Sequence, residues 1–286
     1  MERPTDPTSG TKGVIAIVED LLQRAHEVEA RPECVGVGAA GFIDASSGSV
    51  TFAPNLVYDD PQVAVALRTR TSLPVVVDND ANAAAWGERA FGAAHGLENV
   101  ALITIGTGIG SGFIVDGHLL RGASGAAAEF GHTVVDPDGP DCPCGLKGCI
   151  EQVASGGAIG RIARAVAEGE PSSSMVSFAG SIDSITAEHV AKAAREYDQT
   201  ARDLLREAGR WLGIGLSNVA NLFDPDTIVL SGSVVKAGEP FLGPARDTLA
   251  AMTNAQRRRP MRLDVTTLGA EAGIIGAAAL AFDEAS

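Results

Sequence analysis

The strongest constraint on this chain is a short stretch that holds three of its four cysteines and follows one of its five histidines. The stretch reads Cys142-Pro-Cys144-Gly-Leu-Lys-Gly-Cys149, and His132 precedes it. Three thiolates and one imidazole complete the tetrahedral ligand set of a structural zinc site, whereas a disulfide across the single proline is sterically poor. The spacing therefore predicts a closed zinc site with His132, Cys142, Cys144 and Cys149 as ligands and no open position for catalysis.

Charge and length limit the possible partners of the chain. Its 286 residues suffice for one large domain or two. The formal net charge of −14 argues against binding nucleic acid, because affinity for a phosphate backbone comes largely from Lys and Arg. The apolar runs are short and broken by glycine or charge, so we expect no transmembrane helix. Free cysteines without an apolar signal segment predict a cytoplasmic protein.

Strands and helices alternate along the chain, a pattern that is typical of layered α/β proteins. Apolar periodicity and turn residues predict helices at residues 13–30, 60–69, 81–94, 152–168, 187–197, 199–222 and 270–282. Buried apolar runs predict strands at residues 34–40, 74–78, 99–105, 112–116, 227–231 and 261–268. The serine-rich residues 171–177 are predicted to form a surface loop.

Two loops at the ends of predicted strands carry residues suited to a site. Asn79-Asp80 lies where a buried strand ends and a helix begins, and a carboxylate there caps the helix and faces a cleft. Gly106-Thr107-Gly108-Ile109-Gly110 can turn several backbone N–H groups toward a phosphate. Because it joins two strands, it matches neither a dinucleotide-binding fingerprint nor a Walker loop. Taken alone, such a loop is more often a tight hairpin.

The order of these motifs resembles the ROK family (repressor, open reading frame, kinase), and most closely its bacterial ATP-dependent glucokinases. The motifs are Asn79-Asp80-Ala-Asn82, the glycine loop, Glu129-x-x-His132, the cysteine run with Glu151 after it, and Ser231-Gly232-Ser233. The resemblance implies a two-lobed, ribonuclease-H-like (actin-like ATPase) fold. It also implies a small lobe at residues 1–84 plus 271–286 and a large lobe at residues 85–270, with the zinc loop at 129–151.

The resemblance assigns a role to individual residues. Asp80 matches the general base that takes the proton of the sugar 6-hydroxyl as it attacks the γ-phosphorus of ATP. Asp78 should point to the opposite face of the strand. The residues that match sugar ligands are Asn79, Glu129, His132, Glu151 and Gly41. His132 would serve both the zinc ion and the sugar, one ring nitrogen on each.

The resemblance also implies three cofactors: ATP, Mg²⁺ bound with ATP, and structural Zn²⁺. The implied substrate is a hexose, with glucose favoured, and the implied assembly is a dimer or tetramer of the chain. The residues that match ATP-binding positions are Gly106, Thr107, Gly108, Gly110 and Gly232. Two carboxylates keep simpler interpretations. Glu151 could cap the helix that follows the zinc loop, and Glu129 could be a solvated loop residue.

One family motif has no counterpart in this sequence. Kinases of the family open with a strand and an Asp-x-Gly-Gly-Thr-Lys turn that binds ATP phosphate. Ser9-Gly10-Thr11-Lys12 resembles only the tail of that turn and runs into the first predicted helix. We therefore expect an N-terminally truncated enzyme whose small lobe lacks its first strands. The activity of this chain stays open, and the alternatives are a sugar-binding ROK regulator or an inactive paralogue.

Overall fold

The computed structural model of the chain describes residues 6, 8–53, 57–253 and 259–285. Within these ranges the helices are α1 (Gly10–Glu27), α2 (Val63–Thr71), α3 (Asp80–Phe91), α4 (Glu151–Ala154), α5 (Gly156–Gly169), α6 (Ser174–Ala179), α7 (Ala187–Arg195), α8 (Gln199–Phe223), α9 (Glu239–Met252) and α10 (Ala272–Ala285). The strands are β1 (Val35–Ala39), β2 (Phe42–Asp44), β3 (Ser49–Phe52), β4 (Val75–Asn79), β5 (Val100–Ile105), β6 (Ile109–Val115), β7 (His118–Leu119), β8 (Thr227–Ser231) and β9 (Arg262–Val265). The predicted α/β class is confirmed.

The larger sheet has five strands in the order β7-β6-β5-β8-β9. β5 runs parallel to β8, and β8 runs parallel to β9, while β6 and β7 are antiparallel to their neighbours. Alternate residues of β5 enter different hydrophobic clusters, with Ile103 and Ile105 on one face and Val100 and Leu102 on the other. Helices therefore cover both faces of the sheet, which explains why its central strands read as continuous apolar runs.

A second, smaller sheet is formed by the parallel pair β1 and β4, and β2 and β3 form a separate antiparallel hairpin. α10 crosses this small sheet and α3 at very short distances. A Cβ atom at Gly36 would overlap the carbonyl of Ala277, and one at Gly276 would overlap the carbonyl of Ala83. Glycine at these positions therefore lets α10 join the two sheets, because α3 also packs against β5 and β6.

Most elements agree with the sequence prediction, and three differences have a physical cause. The predicted helix 152–168 is divided at Ser155, whose backbone is extended and whose hydroxyl caps α5 by accepting from Ala158 N–H. The predicted loop 171–177 contains the start of α6, because Asp198 accepts hydrogen bonds from the Ser173 and Ser174 hydroxyls and the Ser174 N–H. α9 was not predicted, since Pro244 lies inside it.

The division into two lobes remains a prediction. Its first boundary, at residue 84, falls inside α3, because that helix continues without a break to Phe91. Ser9-Gly10-Thr11-Lys12 enters α1 directly, as expected. No helix within the described ranges combines the length and hydropathy needed to cross a membrane.

Candidate functional site

The predicted base lies on the first turn of α3, directly after β4. Asn79 caps this helix: its side-chain oxygen accepts hydrogen bonds from the N–H groups of Ala81 at 2.9 Å and Asn82 at 3.1 Å. The expectation that the Asp80 carboxylate is the cap is therefore wrong, because α3 begins at Asp80 itself and the cap position falls to Asn79. Asp80 is the first helical residue, with its exposed side chain beside the positive end of the helix dipole.

The loop after β1 lies beside this turn, since β1 and β4 are parallel and Ala39 pairs with Asn79. The Asn79 side-chain amide donates a hydrogen bond of 3.1 Å to the carbonyl of Gly41. Gly41 has φ +125°, and a Cβ atom there would overlap the Phe52 carbonyl, so only glycine suits this position. The structure thus brings together two of the predicted sugar-side residues, and it leaves one N–H of the Asn79 amide free of these contacts.

The charges of three other predicted site residues act on the Glu129 carboxyl. Desolvation raises the pKa of the Glu129 carboxyl, His132 lowers it, and the charges of Asp80 and Glu151 raise it further. The side chain is exposed by surface area. Solvent therefore reaches this carboxylate, although nearby protein atoms desolvate it in part. The role of Glu129 as a sugar ligand stays a prediction, beside the alternative of a solvated loop carboxylate.

Asp80 shows the same combination of access and desolvation. Burial raises the pKa of its carboxyl, and hydrogen bonding to the Ala81 N–H opposes that shift. A general base is most effective when its pKa approaches the working pH, so the direction of this shift suits the predicted role. Burial and the charge of Asp80 also raise the pKa of Tyr58, which places this tyrosine near the site. No motif in the sequence pointed to Tyr58.

The four predicted zinc ligands come together. The ligand atoms of His132, Cys142, Cys144 and Cys149 all lie within 4.8 Å of one another, and all three cysteines are free thiols. The Cys144–Cys149 sulfur distance and the distance from Cys142 sulfur to His132 Nδ1 are both 3.7 Å. Bonds of roughly 2.3 Å in a tetrahedron give ligand separations of about 3.8 Å, so the residues fit zinc.

Glu151 connects the zinc loop to the glycine loop. Its Oε2 accepts a hydrogen bond of 2.8 Å from the N–H of Ile109, and a Cβ atom at Gly108 would lie 2.5 Å from the same oxygen. The residue begins α4, but the observed partner of its carboxylate belongs to β6 rather than to the helix. Sequence reasoning missed this contact, since the two residues are far apart in the chain.

The predicted ATP-binding glycines divide into two groups. Gly106, Thr107 and Gly108 form the turn after β5, and Gly232, with φ +97°, follows β8, which is parallel to β5. A Cβ atom at Gly232 would overlap the backbone of Ile105, so the two turns lie side by side at the carboxyl ends of their strands. Open α/β sheets bind ligands at this edge.

Gly110 belongs to the second group, because it lies within β6. A Cβ atom there would approach Thr104 Oγ1 at 2.9 Å and the Ala81 side chain at 3.5 Å, so this glycine admits α3 onto the sheet. Two further glycines support the turn and were not predicted. Gly156 and Gly157 donate backbone hydrogen bonds to the carbonyls of Gly106 at 2.8 Å and Thr107 at 3.0 Å. These bonds fix the turn against the first residues of α5.

Comparisons with known proteins agree with this geometry. The sequence profile of the ROK family matches residues 1–284. A glucokinase of Streptomyces coelicolor is 41% identical over 282 residues, which are 97% of this chain and 87% of that protein. A xylose repressor of Caldicellulosiruptor bescii is 29% identical over 94% of this chain and 67% of its own length.

A solved structure gives the same result. The crystal structure of a ROK family glucokinase from Streptomyces griseus, in complex with glucose and AMPPNP, is 41% identical and superposes with a TM-score of 0.85. The match covers 99% of this chain and 91% of that one. The predicted actin-like ATPase fold is therefore confirmed. Because the family profile spans nearly the whole sequence and the fold agrees, the chain belongs to the ROK family.

Proposed function

We propose that this protein transfers the γ-phosphoryl group of ATP to the 6-hydroxyl of glucose, with Asp80 as the general base. The observation that carries the proposal is that the charges of Asp80 and Glu151 both act on the Glu129 carboxyl, while Glu151 also contacts the glycine turn. The likeness to glucokinases, including one that binds glucose and an ATP analogue, supports the choice of glucose and ATP.

In the proposed reaction, the sugar 6-oxygen attacks the γ-phosphorus, its proton passes to an Asp80 carboxylate oxygen, and ADP leaves. Phosphoryl transfer depends mainly on positioning and charge stabilisation, so the base has to be close and ionised. The raised pKa of Asp80 brings its proton affinity closer to the working pH than that of an ordinary aspartate. Mg²⁺ carried with ATP would neutralise charge on the phosphates.

The predicted sugar ligands Asn79, Glu129, His132 and Glu151, here called the sugar wall, keep several atoms without a partner among the described residues. Glu151 uses Oε2 for the Ile109 N–H, which leaves Oε1, and the Asn79 amide keeps one N–H. His132 directs Nδ1 toward Cys142, which leaves Nε2 on the other side of the ring. We propose that these groups and Glu129 bind the sugar, and that Gly41 shapes the loop beside Asn79.

Zinc in this proposal is structural. The three cysteines and His132 would hold it, and four protein ligands leave no position for a substrate. When bound, the metal would fix the orientation of the His132 ring and of the loop that precedes Glu151. The ATP phosphates would lie against Gly106, Thr107 and Gly108, with Gly232 on the adenosine side.

A coupled ADP-release assay with glucose tests the proposal. We expect Asp80→Asn to lower kcat by about 10²- to 10⁴-fold, which is the usual contribution of a general base. Asp247→Asn, an exposed aspartate on α9, serves as the matched control and should keep wild-type activity. Turnover that is independent of glucose, or full activity in Asp80→Asn, would contradict the mechanism.

A second candidate function is sugar binding without phosphorylation, as in a regulator. The likeness to a xylose repressor favours it, although the glucokinases are more similar to this chain. Calorimetric titration with glucose separates the two candidates: binding without ADP release in the presence of Mg²⁺ and ATP would support the regulator or an inactive paralogue. A panel of hexoses in the same assay tests the choice of glucose. Residence in the cytoplasm and assembly into a dimer or tetramer remain part of the proposal.

A further inference from the structure

Asp78 is a buried carboxylate that the proposed reaction does not use. Its side chain is only 5% exposed, and it lies two positions before Asp80 on β4. Oδ1 accepts hydrogen bonds from the Asn79 N–H at 2.7 Å and from the Asn82 side-chain amide at 2.9 Å. Oδ2 accepts one from Arg121 Nε at 2.7 Å. Arg121 thus supplies the positive charge for an aspartate at the base of the catalytic turn.

Arg121 belongs to the segment 120–129, which ends at Glu129. The segment is held to the large sheet, because the Ser111 hydroxyl donates to the Ala128 carbonyl and Leu120 N–H donates to the Phe113 carbonyl. At its middle it reaches the β2–β3 hairpin, where a Cβ atom at Gly125 would overlap the Ile43 carbonyl. The segment therefore bridges the large sheet and the elements around the small sheet.

The Arg121–Asp78 pair is a charged contact of this bridge. Arg121 also reaches α10, through Nη2 to Glu284 at 3.1 Å. A buried carboxylate needs a well-oriented partner, and the fixed fork of a guanidinium restricts where that partner can lie. Moving the segment 120–129 would therefore break the pair, so the geometry couples the position of this segment to the position of β4.

We infer that Arg121 is a positioning residue for the sugar site. By binding Asp78, it holds the segment that carries Glu129 at a fixed distance from the Asn79-Asp80 turn, so that the sugar wall and the base face the same sugar molecule. This inference rests on the proposed function, since it concerns the same site. It assigns no contact between Arg121 and either substrate.

The inference predicts an effect on the sugar that is separate from any effect on ATP. We expect Arg121→Met to raise the glucose KM by about 10- to 100-fold, because misplacement of a binding group by about 1 Å has consequences of this order. The ATP KM should stay within about twofold of the wild-type value. Arg121→Lys should recover only part of the loss, because it restores the charge without the fork. Arg246→Met removes an exposed arginine paired with Glu239 and is the matched control.

The double variant Asp78→Asn/Arg121→Met keeps the test valid if Arg121→Met fails to fold, because it leaves no unpaired buried charge. We expect it to fold and still to bind glucose weakly in calorimetric titration, a measurement that does not require turnover. Wild-type glucose affinity in either variant would overturn the inference while leaving the proposed function intact. A wild-type protein that neither binds nor phosphorylates glucose would overturn both.

Discussion

Glu88 offers the sharpest test of how this fold is held together. Its side chain is fully buried near the end of α3, the helix that begins with Asp80. Oε2 accepts from the Ala93 N–H at 2.7 Å, and Oε1 accepts from the Leu268 N–H at 3.1 Å and from the Thr266 hydroxyl. The carboxylate therefore joins α3 to the connection between β9 and α10.

Replacing this carboxylate with an amide should be strongly destabilising. In Glu88→Gln one side of the group becomes an NH₂ donor that faces backbone N–H donors, so at least one charge-assisted hydrogen bond is lost and a buried donor has no acceptor. A charged hydrogen bond contributes roughly 1.5–3 kcal/mol, and an unsatisfied buried donor costs about 1–3 kcal/mol. We expect a loss of about 3–5 kcal/mol in the free energy of unfolding, or about 5–8 °C in melting temperature for a chain of this length.

Thermal unfolding and urea titration of Glu88→Gln measure this loss. Glu98→Gln, an exposed glutamate shortly after α3, is the matched control and should change the free energy of unfolding by less than about 0.5 kcal/mol. A change below about 1 kcal/mol in Glu88→Gln would refute the reasoning, because it would mean that the amide is accommodated beside the Ala93 and Leu268 N–H donors without loss.

Three further predictions concern the site. Burial raises the pKa of Asp80, so the ionised carboxylate opposes folding above the ordinary pKa of about 3.9. Asp80→Asn should therefore raise the melting temperature at pH 7. Scanning calorimetry should find this gain absent below about pH 4, where the wild-type carboxyl is protonated in both the folded and the unfolded state. Gln152 donates a hydrogen bond of 3.7 Å to the Cys142 sulfur, so Gln152→Ala should release zinc faster to a chromogenic chelator. Removal of zinc should also raise the glucose KM. An unchanged glucose KM in verified apo-protein would show that the metal does not support the sugar-binding residues. Ala128 has φ +63°, so Ala128→Gly should raise the melting temperature by about 1–3 °C in thermal unfolding, whereas Ala126→Gly, in the same segment without a positive φ, should not.

Local sequence patterns account for the candidate metal group and for most of the secondary structure. The spacing of the three cysteines and His132 predicted a group that the structure brings within 4.8 Å, because these residues lie in one short loop region. The Asn79-Asp80 turn and the glycine turn were also recognisable, since each follows a buried apolar strand. The choice of Asn79 rather than Asp80 as the helix cap was not, because either side chain can accept from the first turn of a helix.

The sequence by itself thus determined the α/β class, the group of four candidate zinc ligands, the Asn79-Asp80 turn and the family resemblance, all of which depend on residue type and short spacing. Only the tertiary structure decided which carboxylates are bound and by what. Glu151 finds Ile109 across 42 positions, Asp78 finds Arg121 across 43, and Glu88 finds Thr266 across 178. A carboxylate has the same local signature whether it is solvated or clamped, because its partners are chosen by how distant strands and helices pack rather than by its neighbours in the chain.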